Sequence, residues 1–177
     1  MLQAATPPRF VPSRRLITVL FLGVALLAGA VAIRIHGEPA PSVVFTNLKG
    51  DKIAMNSLRG KVVLVNFWSV GCVVCVRDMP QMTATYNRYK GQGLELVAVA
   101  LGSDRPDYVL DYAQTRNLPF DVALDTQDDL ARAFGGVAAT PTAFLIGKDG
   151  KIIERLQGEP DFEALHRLLE KELAVAG

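Results

Sequence analysis

Two short runs of apolar residues constrain the fold of this chain more than any other feature. Residues 61–67 and 94–101 are rich in valine and leucine, and glycines flank both runs. Runs of this length and composition predict strands that are buried on both faces. The stretch between them, roughly residues 73–90, predicts a helix that ends at Gly91 and Gly93. A buried strand, a helix and a second buried strand favour a sheet that is covered by helices.

The next part of the chain continues this alternation. Residues 106–116 predict a helix with Pro106 in its first turn and Asp104 as a candidate N-cap. Residues 121–124 predict a short strand. Residues 125–134 predict a short helix, which ends at a pair of glycines.

The carboxy-terminal part predicts a hairpin and a last helix. Residues 142–147 and 151–155 are apolar runs that flank an Asp-Gly turn at residues 149 and 150, a pattern typical of a β-hairpin. Residues 160–174 carry an apolar stripe at helical spacing. A further hairpin is predicted within residues 43–53. The resulting order, β-α-β-α-β-α-β-β-α after that hairpin, predicts an α/β domain with a central mixed sheet flanked by helices.

Composition excludes several classes of protein. The 177 residues are 50% hydrophobic, which is too apolar for an intrinsically disordered chain. Nineteen basic and 18 acidic residues leave a formal net charge of +1. No basic field exists that would attract nucleic acid, so nucleic acid is not expected as a partner.

The amino terminus predicts a membrane anchor. Residues 16–33 carry no charge and would span about 27 Å as a helix, close to the thickness of the hydrocarbon core of a bilayer. The basic residues 1–15 precede this run and predict a cytoplasmic amino terminus. Residues 34–41 then form a short linker, and residues 42–177 form the folded domain. We expect a single-pass protein of the cell inner membrane with a periplasmic domain; a cleaved signal peptide is the alternative.

The candidate chemistry lies just after the first buried strand, where Cys72 and Cys75 are the only two cysteines of the chain. A zinc site needs four ligands, and no second cysteine pair completes one, so no metal is expected. Two structural cysteines would not need this spacing, which is typical of a redox pair. Cys72 is predicted at a helix amino terminus, where free N–H groups stabilise a thiolate. Cys75 follows one turn later and can resolve a mixed disulfide formed on Cys72.

Residues 65–80 resemble the active-site segment of membrane-anchored, extracytoplasmic thioredoxin-like proteins of the TlpA/ResA type. The resemblance extends from residue 42 to about residue 173 and includes the segment 136–142. It implies a thioredoxin-like fold with a redox-active Cys72–Cys75 disulfide. It also implies a cis peptide bond before Pro141, which lies against the cysteine pair, and pairing of the Thr140 backbone with the substrate chain.

Three departures from the family pattern concern the site. Relatives commonly have Trp directly before the first cysteine, whereas Gly71 here leaves a more open approach for substrate. Asp78 stands where relatives often have a Glu that assists proton transfer at the thiols; the alternative is an acid favoured by the helix dipole. Asn66 occupies the position of a buried Asp in thioredoxin, which raises the importance of Asp78. Trp68 is predicted to pack beneath the site.

The resemblance implies an extracytoplasmic thiol–disulfide oxidoreductase, working mainly as a reductase of exported proteins. Assembly of cytochrome c or of metal centres is an example of such a role. Electrons would come from a membrane thiol donor, and no cofactor is expected. Three alternatives stay open: a disulfide-introducing oxidant on the same fold, a module that binds metal or a partner through the cysteines, and a peroxiredoxin-like peroxidase. The peroxidase is suggested by the S-x-x-C pattern of residues 69–72.

Overall fold

The computed structural model of the protein describes residues 37–175. The predicted basic segment 1–15 and the predicted membrane span 16–33 lie outside the described residues. Between residues 37 and 175, no helix is both long and apolar enough to cross a bilayer.

The described chain forms strands and helices in the predicted order. The strands are β1 (Val44–Thr46), β2 (Lys52–Ala54), β3 (Val62–Trp68), β4 (Leu94–Leu101), β5 (Asp121–Asp125), β6 (Thr142–Ile146) and β7 (Ile152–Gln157). The α-helices are α1 (Val73–Tyr89), α2 (Pro106–Thr115), α3 (Asp129–Ala133) and α4 (Phe162–Ala174). Short 3₁₀ turns follow β2 and α1.

A five-stranded mixed sheet in the order β5-β4-β3-β6-β7 forms the centre of the domain. Strand β3 pairs parallel with β4, and β4 pairs parallel with β5. Strand β6 pairs antiparallel with both β3 and β7. The predicted hairpin at the start of the domain is β1–β2, which forms a separate two-stranded sheet.

The sheet is buried on both faces because β3 sends alternate side chains into two different cores. Val62, Leu64 and Trp68 pack with α1, α2 and α4. Val63, Val65 and Phe67 pack on the other face with the β1–β2 hairpin and α3. Every residue of β3 is buried, as its apolar run predicts. The mixed sheet flanked by helices confirms the predicted thioredoxin-like fold.

One helix is shorter than predicted. Of the helix predicted over residues 125–134, only Asp129–Ala133 is helical, as α3. Asp125 belongs to the end of β5. The buried carboxylate of Asp125 accepts hydrogen bonds from the backbone N–H groups of Leu130 and Ala131, at 3.0 and 2.8 Å. Asp125 therefore caps the helix from the preceding strand, because its oxygens satisfy N–H groups that a helix start leaves without partners.

The predicted Asp-Gly turn is confirmed between β6 and β7. Gly150 has a φ of 74°, which a residue with a Cβ rarely adopts. The Asp149 carboxylate accepts a hydrogen bond from the Lys151 N–H at 3.1 Å. These two features reverse the chain so that β7 runs back along β6.

Candidate active site

The candidate site lies at the edge where the parallel strands β3 and β4 end. Because these strands run in the same direction, the segments after Trp68 and after Leu101 meet at one end of the sheet. The segment before β6 reaches the same end, since β6 runs antiparallel to β3. Three loops that are distant in sequence therefore converge around the cysteine pair.

Cys72 is the N-cap of α1, as predicted. Its backbone is extended, with φ −85° and ψ 103°, and its Sγ accepts a hydrogen bond from the Cys75 N–H at 3.1 Å. A sulfur in this position lies against the positive end of the helix dipole, which favours its thiolate form. Cys72 is partly exposed, so that another molecule can reach its sulfur.

Cys75 lies one turn along the helix and is joined to Cys72 by a disulfide, with a Cα–Cα distance of 5.2 Å. Only 3% of Cys75 is exposed. The two cysteines therefore differ in access: Cys72 is partly exposed, and Cys75 is covered by the protein.

The peptide bond between Thr140 and Pro141 is cis, which confirms the prediction. The carbonyl oxygen of Thr140 lies 3.6 Å from the Cys72 Sγ. Pro141 and Cys75 line the same small cavity. The loop before β6 therefore reaches the cysteine pair, and the Thr140 carbonyl oxygen lies beside the Cys72 sulfur.

The prediction that Asp104 caps α2 is wrong. Arg105 occupies the N-cap position, without a side-chain hydrogen bond to the helix. Asp104 instead accepts two hydrogen bonds from the loop before Cys72: the Ser69 hydroxyl donates to Oδ1 at 2.7 Å and the Val70 N–H donates to Oδ2 at 2.9 Å. These hydrogen bonds hold the loop after β4 against the segment that leads into the cysteine pair.

The same loop is closed by its own hydrogen bonds. The Gly71 N–H donates to the Ser69 Oγ at 3.0 Å, and the Cys72 N–H donates to the Ser69 carbonyl at 3.1 Å. With Asp104, these contacts fix the backbone from Ser69 to the start of α1. The position of the Cys72 sulfur therefore depends on a carboxylate that does not touch it.

Asp78 lies beside the buried cysteine. Its side chain is 12% exposed, and its Oδ1 accepts a hydrogen bond from Arg77 Nε at 2.9 Å. Its Oδ2 is buried, as is the Asn66 Oδ1, and neither has a hydrogen-bond partner among the described residues. Asp78, Asn66 and Cys75 line one small cavity, which also contacts Pro141. Asp78 and Asn66 therefore bring two buried oxygens without partners among the described residues to the cavity that Cys75 also lines.

Arg77 is exposed and joins two carboxylates. Its Nη2 lies 2.7 Å from Glu159 Oε1, and its Nε contacts Asp78. These two hydrogen bonds raise the pKa of Arg77 above its ordinary value. Because both neighbours are acidic, the positive charge of Arg77 is balanced locally and adds little to the potential at the sulfurs.

Two further residues of the predicted site, Trp68 and Gly71, differ in burial. Trp68 is fully buried and its ring lies 5.2 Å from that of Tyr112, which confirms packing beneath the site. Gly71 is exposed, and a Cβ there would meet only the Ser69 Oγ, at 3.5 Å. No steric demand of the fold therefore requires glycine at this position.

For Asp104, the sequence pattern predicts a different role from the one that the structure shows. The positions of Asp104 and Ser69 in the sequence could have predicted their contact. Asp104 follows the end of β4, and Ser69 follows the end of β3. Parallel neighbouring strands end at the same edge, so polar groups after both strands meet. A proline two residues later made a helix cap the more obvious interpretation.

Comparisons with known proteins agree with this geometry. Residues 36–155 match the AhpC/TSA family. Thiol-disulfide oxidoreductase ResA of Bacillus cereus is 36% identical over 172 residues, which cover 90% of this chain and 96% of that protein. ResA of Geobacillus kaustophilus is 38% identical over 141 residues, which cover 80% and 78% of the two chains.

Two solved structures share the fold. A thiol:disulfide interchange protein of the thioredoxin family from Chlorobium tepidum has a TM-score of 0.71 and 26% identity, and the match covers 78% of this chain and 97% of that one. StoA from Bacillus subtilis has a TM-score of 0.62 and 25% identity, with 73% and 98% covered.

Proposed function

This chain belongs to the AhpC/TSA family and, within it, to the ResA-like thiol–disulfide oxidoreductases, and from this premise we propose that it reduces disulfides of exported proteins outside the cytoplasm. The unequal access of the two cysteines carries the proposal. Cys72 is open to a partner and accepts a hydrogen bond from the helix start, whereas Cys75 is covered. This arrangement suits an attacking thiol followed by a resolving thiol.

The proposed reaction begins with both cysteines reduced. The Cys72 thiolate attacks one sulfur of the substrate disulfide, forms a mixed disulfide and releases the other substrate sulfur as a thiolate. The Cys75 thiolate then attacks the Cys72 Sγ, which frees the second substrate sulfur and closes the Cys72–Cys75 disulfide. Two electrons pass to the substrate. The Cys72 and Cys75 thiols each release a proton as they form thiolates, the Cys75 proton to Asp78 or to solvent, and the two substrate thiolates take up two protons in return.

The substrate chain is proposed to lie along the backbone of Thr140. This residue precedes β6 and its carbonyl oxygen is 3.6 Å from the Cys72 Sγ. A short extended segment of substrate can pair there while its cysteine meets the exposed sulfur. Gly71 offers no side chain that would obstruct this approach.

The extracytoplasmic location rests on the uncharged residues 16–33 behind Arg14 and Arg15. A reductase in an oxidising compartment ends each cycle as a disulfide and needs a supply of electrons. We propose a membrane thiol protein as the donor and exported proteins with disulfides, such as those of cytochrome c or metal-centre assembly, as substrates.

A trapping experiment with the full chain in cells tests function and location together. With Cys75→Ser, the mixed disulfide on Cys72 cannot resolve, so exported proteins should accumulate in covalent complexes. Cys72→Ser is the matched control and should trap none. Complexes made only of cytoplasmic proteins would contradict the location, and trapping by Cys72→Ser alone would contradict the assignment of the attacking sulfur.

The peroxidase alternative receives less support from the site. The Ser69 hydroxyl donates to Asp104 and accepts from the Gly71 N–H. It is therefore engaged in holding the loop rather than directed to the Cys72 sulfur. A peroxide-consumption assay on the reduced chain separates the two activities.

A further inference from the structure

We propose that a groove beside the redox pair binds an uncharged, apolar or aromatic side chain next to the target cysteine of the substrate. The inference rests on the proposed disulfide reduction and specifies which substrates this site favours. The groove has a volume of about 340 Å³ and lies between the loop before Cys72 and one side of α2. Its lining comprises Val70, Tyr108, Asp111, Tyr112, Thr115 and Arg116.

One wall of the groove belongs to the loop that leads into Cys72. Val70 forms part of its wall and stands two residues before Cys72. The Val70 N–H is held by Asp104 at 2.9 Å, so the wall keeps a fixed position relative to the attacking sulfur. A substrate whose sulfur reaches Cys72 brings its neighbouring residues to the exposed surface of Gly71, which directly follows Val70 in the chain.

Val70, Tyr108 and Tyr112 give the groove its apolar surface, and Asp111, Thr115 and Arg116 give it polar groups. Tyr108 is 56% exposed although it is a large aromatic residue, and Val73, beside Cys72, is 82% exposed. The Tyr112 ring is anchored from below by Trp68, at a centroid distance of 5.2 Å. Exposed aromatic residues around a preformed depression are typical of a surface that binds another protein.

The charge of the surface selects the occupant. Residues 69–76 and 137–142, which surround the exposed sulfur, contain no charged residue. At the groove itself, Asp111 and Arg116 have opposite charges and leave no net charge. The Arg116 guanidinium also lies 5.8 Å from the centre of the Tyr112 ring. A charged side chain would meet Asp111 and Arg116 together, so that one attraction and one repulsion offset each other while its hydration is lost, and a neutral apolar side chain is favoured.

The test uses the reduced full chain and symmetric disulfides of short peptides, each with one cysteine. The residue directly before or directly after that cysteine is Tyr, Leu, Ser or Glu. Rate constants of reduction are compared, with glutathione disulfide as a substrate that has no apolar side chain beside its cysteine. We expect the Tyr and Leu peptides to react about tenfold faster than the Ser peptide, as one apolar pocket allows, and the Glu peptide to be the slowest.

Two substitutions on one helix locate the preference. Tyr108→Ala should reduce the ratio of the Tyr-peptide rate to the Ser-peptide rate to near one. Leu110→Ala is the control, because Leu110 is 40% exposed on the same helix but lines a different cavity; it should leave the ratio unchanged. Equal rates for all peptides, with glutathione disulfide still reduced, would overturn the groove alone, as would a ratio that survives Tyr108→Ala. Failure to reduce any disulfide would overturn the proposed function and the groove with it.

Discussion

At the scale of single residues, Asp104 organises the site without touching a sulfur atom. Its two carboxylate oxygens accept hydrogen bonds from the Ser69 hydroxyl and the Val70 N–H. These bonds hold the loop that places Cys72 at the start of α1. Loss of this acceptor leaves a half-buried N–H and a hydroxyl without partners, which typically costs about 1–3 kcal/mol. The same loss frees the N-cap, so reactivity and stability should change together.

Two substitutions of Asp104 distinguish the effect of its hydrogen bonds from the effect of its negative charge. Asp104→Asn can still accept from the Val70 N–H and can donate to the Ser69 Oγ, whereas Asp104→Ala can do neither. We expect Asp104→Ala to slow alkylation of Cys72 at neutral pH by about fivefold, since a lost N-cap interaction is worth about 1 kcal/mol. Asp104→Asn should remain within about threefold of the unchanged protein. An equal loss in both variants would show that the charge, and not the geometry, matters.

Asp78 permits a second test at this scale. Its buried Oδ2 has no hydrogen-bond partner among the described residues, and Asp78 lines the same cavity as Cys75. If it accepts the proton of the Cys75 thiol, Asp78→Asn should slow the resolution of a mixed disulfide and alter the pH dependence of that step. Rapid-quench measurement of substrate release gives the rate. Asp107→Asn, an exposed acid in the first turn of α2, is the matched control and should leave the profile unchanged. An unchanged profile for Asp78→Asn would return Asp78 to a purely structural role.

At the scale of elements, α1 and α4 pack through a polar contact as well as an apolar one. His166 of α4 lies 2.8 Å from the Thr85 Oγ1 of α1, and the Thr85 hydroxyl donates to the Gln81 carbonyl. The His166 Nε2–H is therefore the donor to Thr85, and neutral His166 satisfies the contact. Burial, and then the charge of Arg88, lower the pKa of His166 below its ordinary value, while Glu170 opposes them.

The lowered pKa of His166 predicts a loss of stability in acid. Below about pH 6.5 the unfolded chain protonates this histidine more readily than the folded chain does. The free energy of unfolding therefore decreases as the pH is lowered. The loss develops between the unfolded pKa and the lower folded one. His166→Gln keeps a donor for Thr85 but does not titrate. We expect it to have a smaller decrease in the free energy of unfolding between about pH 7 and about pH 5 in denaturant titrations. Equal decreases in both proteins would contradict this assignment.

The elements show what the sequence could predict and where it could not. Strands β3 and β4 were predictable because every position of β3, and nearly every position of β4, is buried, and burial on two faces leaves a continuous apolar run. The start of α3 was not predictable. An Asp at position 125 is typical of a helix start, but here Asp125 lies at the end of β5 and caps the helix from there. Asp104 was misassigned for the same reason: a local pattern admits a cap, and only the pairing of β3 with β4 reveals the partner across the loop.

At the scale of the whole molecule, the sheet order brings the chemistry to one end. Cys72 follows β3, Asp104 follows β4, and the Thr140–Pro141 pair precedes β6. The cysteine pair and the cis-proline could be located from the sequence, since their spacing and resemblance are specific. Their distances could not, because these depend on three loops that meet only when β6 pairs beside β3.

The redox potential of the pair is set by this whole arrangement and decides the direction of the reaction. The hydrogen bond from the Cys75 N–H and the helix dipole stabilise the Cys72 thiolate, which makes the disulfide more oxidising. Little else acts in that direction, because residues 69–76 and 137–142 carry no charge and Arg77 is paired with Asp78 and Glu159. We therefore expect a potential nearer to the roughly −270 mV of thioredoxin than to the roughly −120 mV of a strong disulfide-introducing oxidant. Equilibration of the full chain with dithiothreitol and glutathione buffers, read by thiol alkylation, measures it. A value near the oxidising end would contradict the reductase and favour an enzyme that introduces disulfides on the same fold.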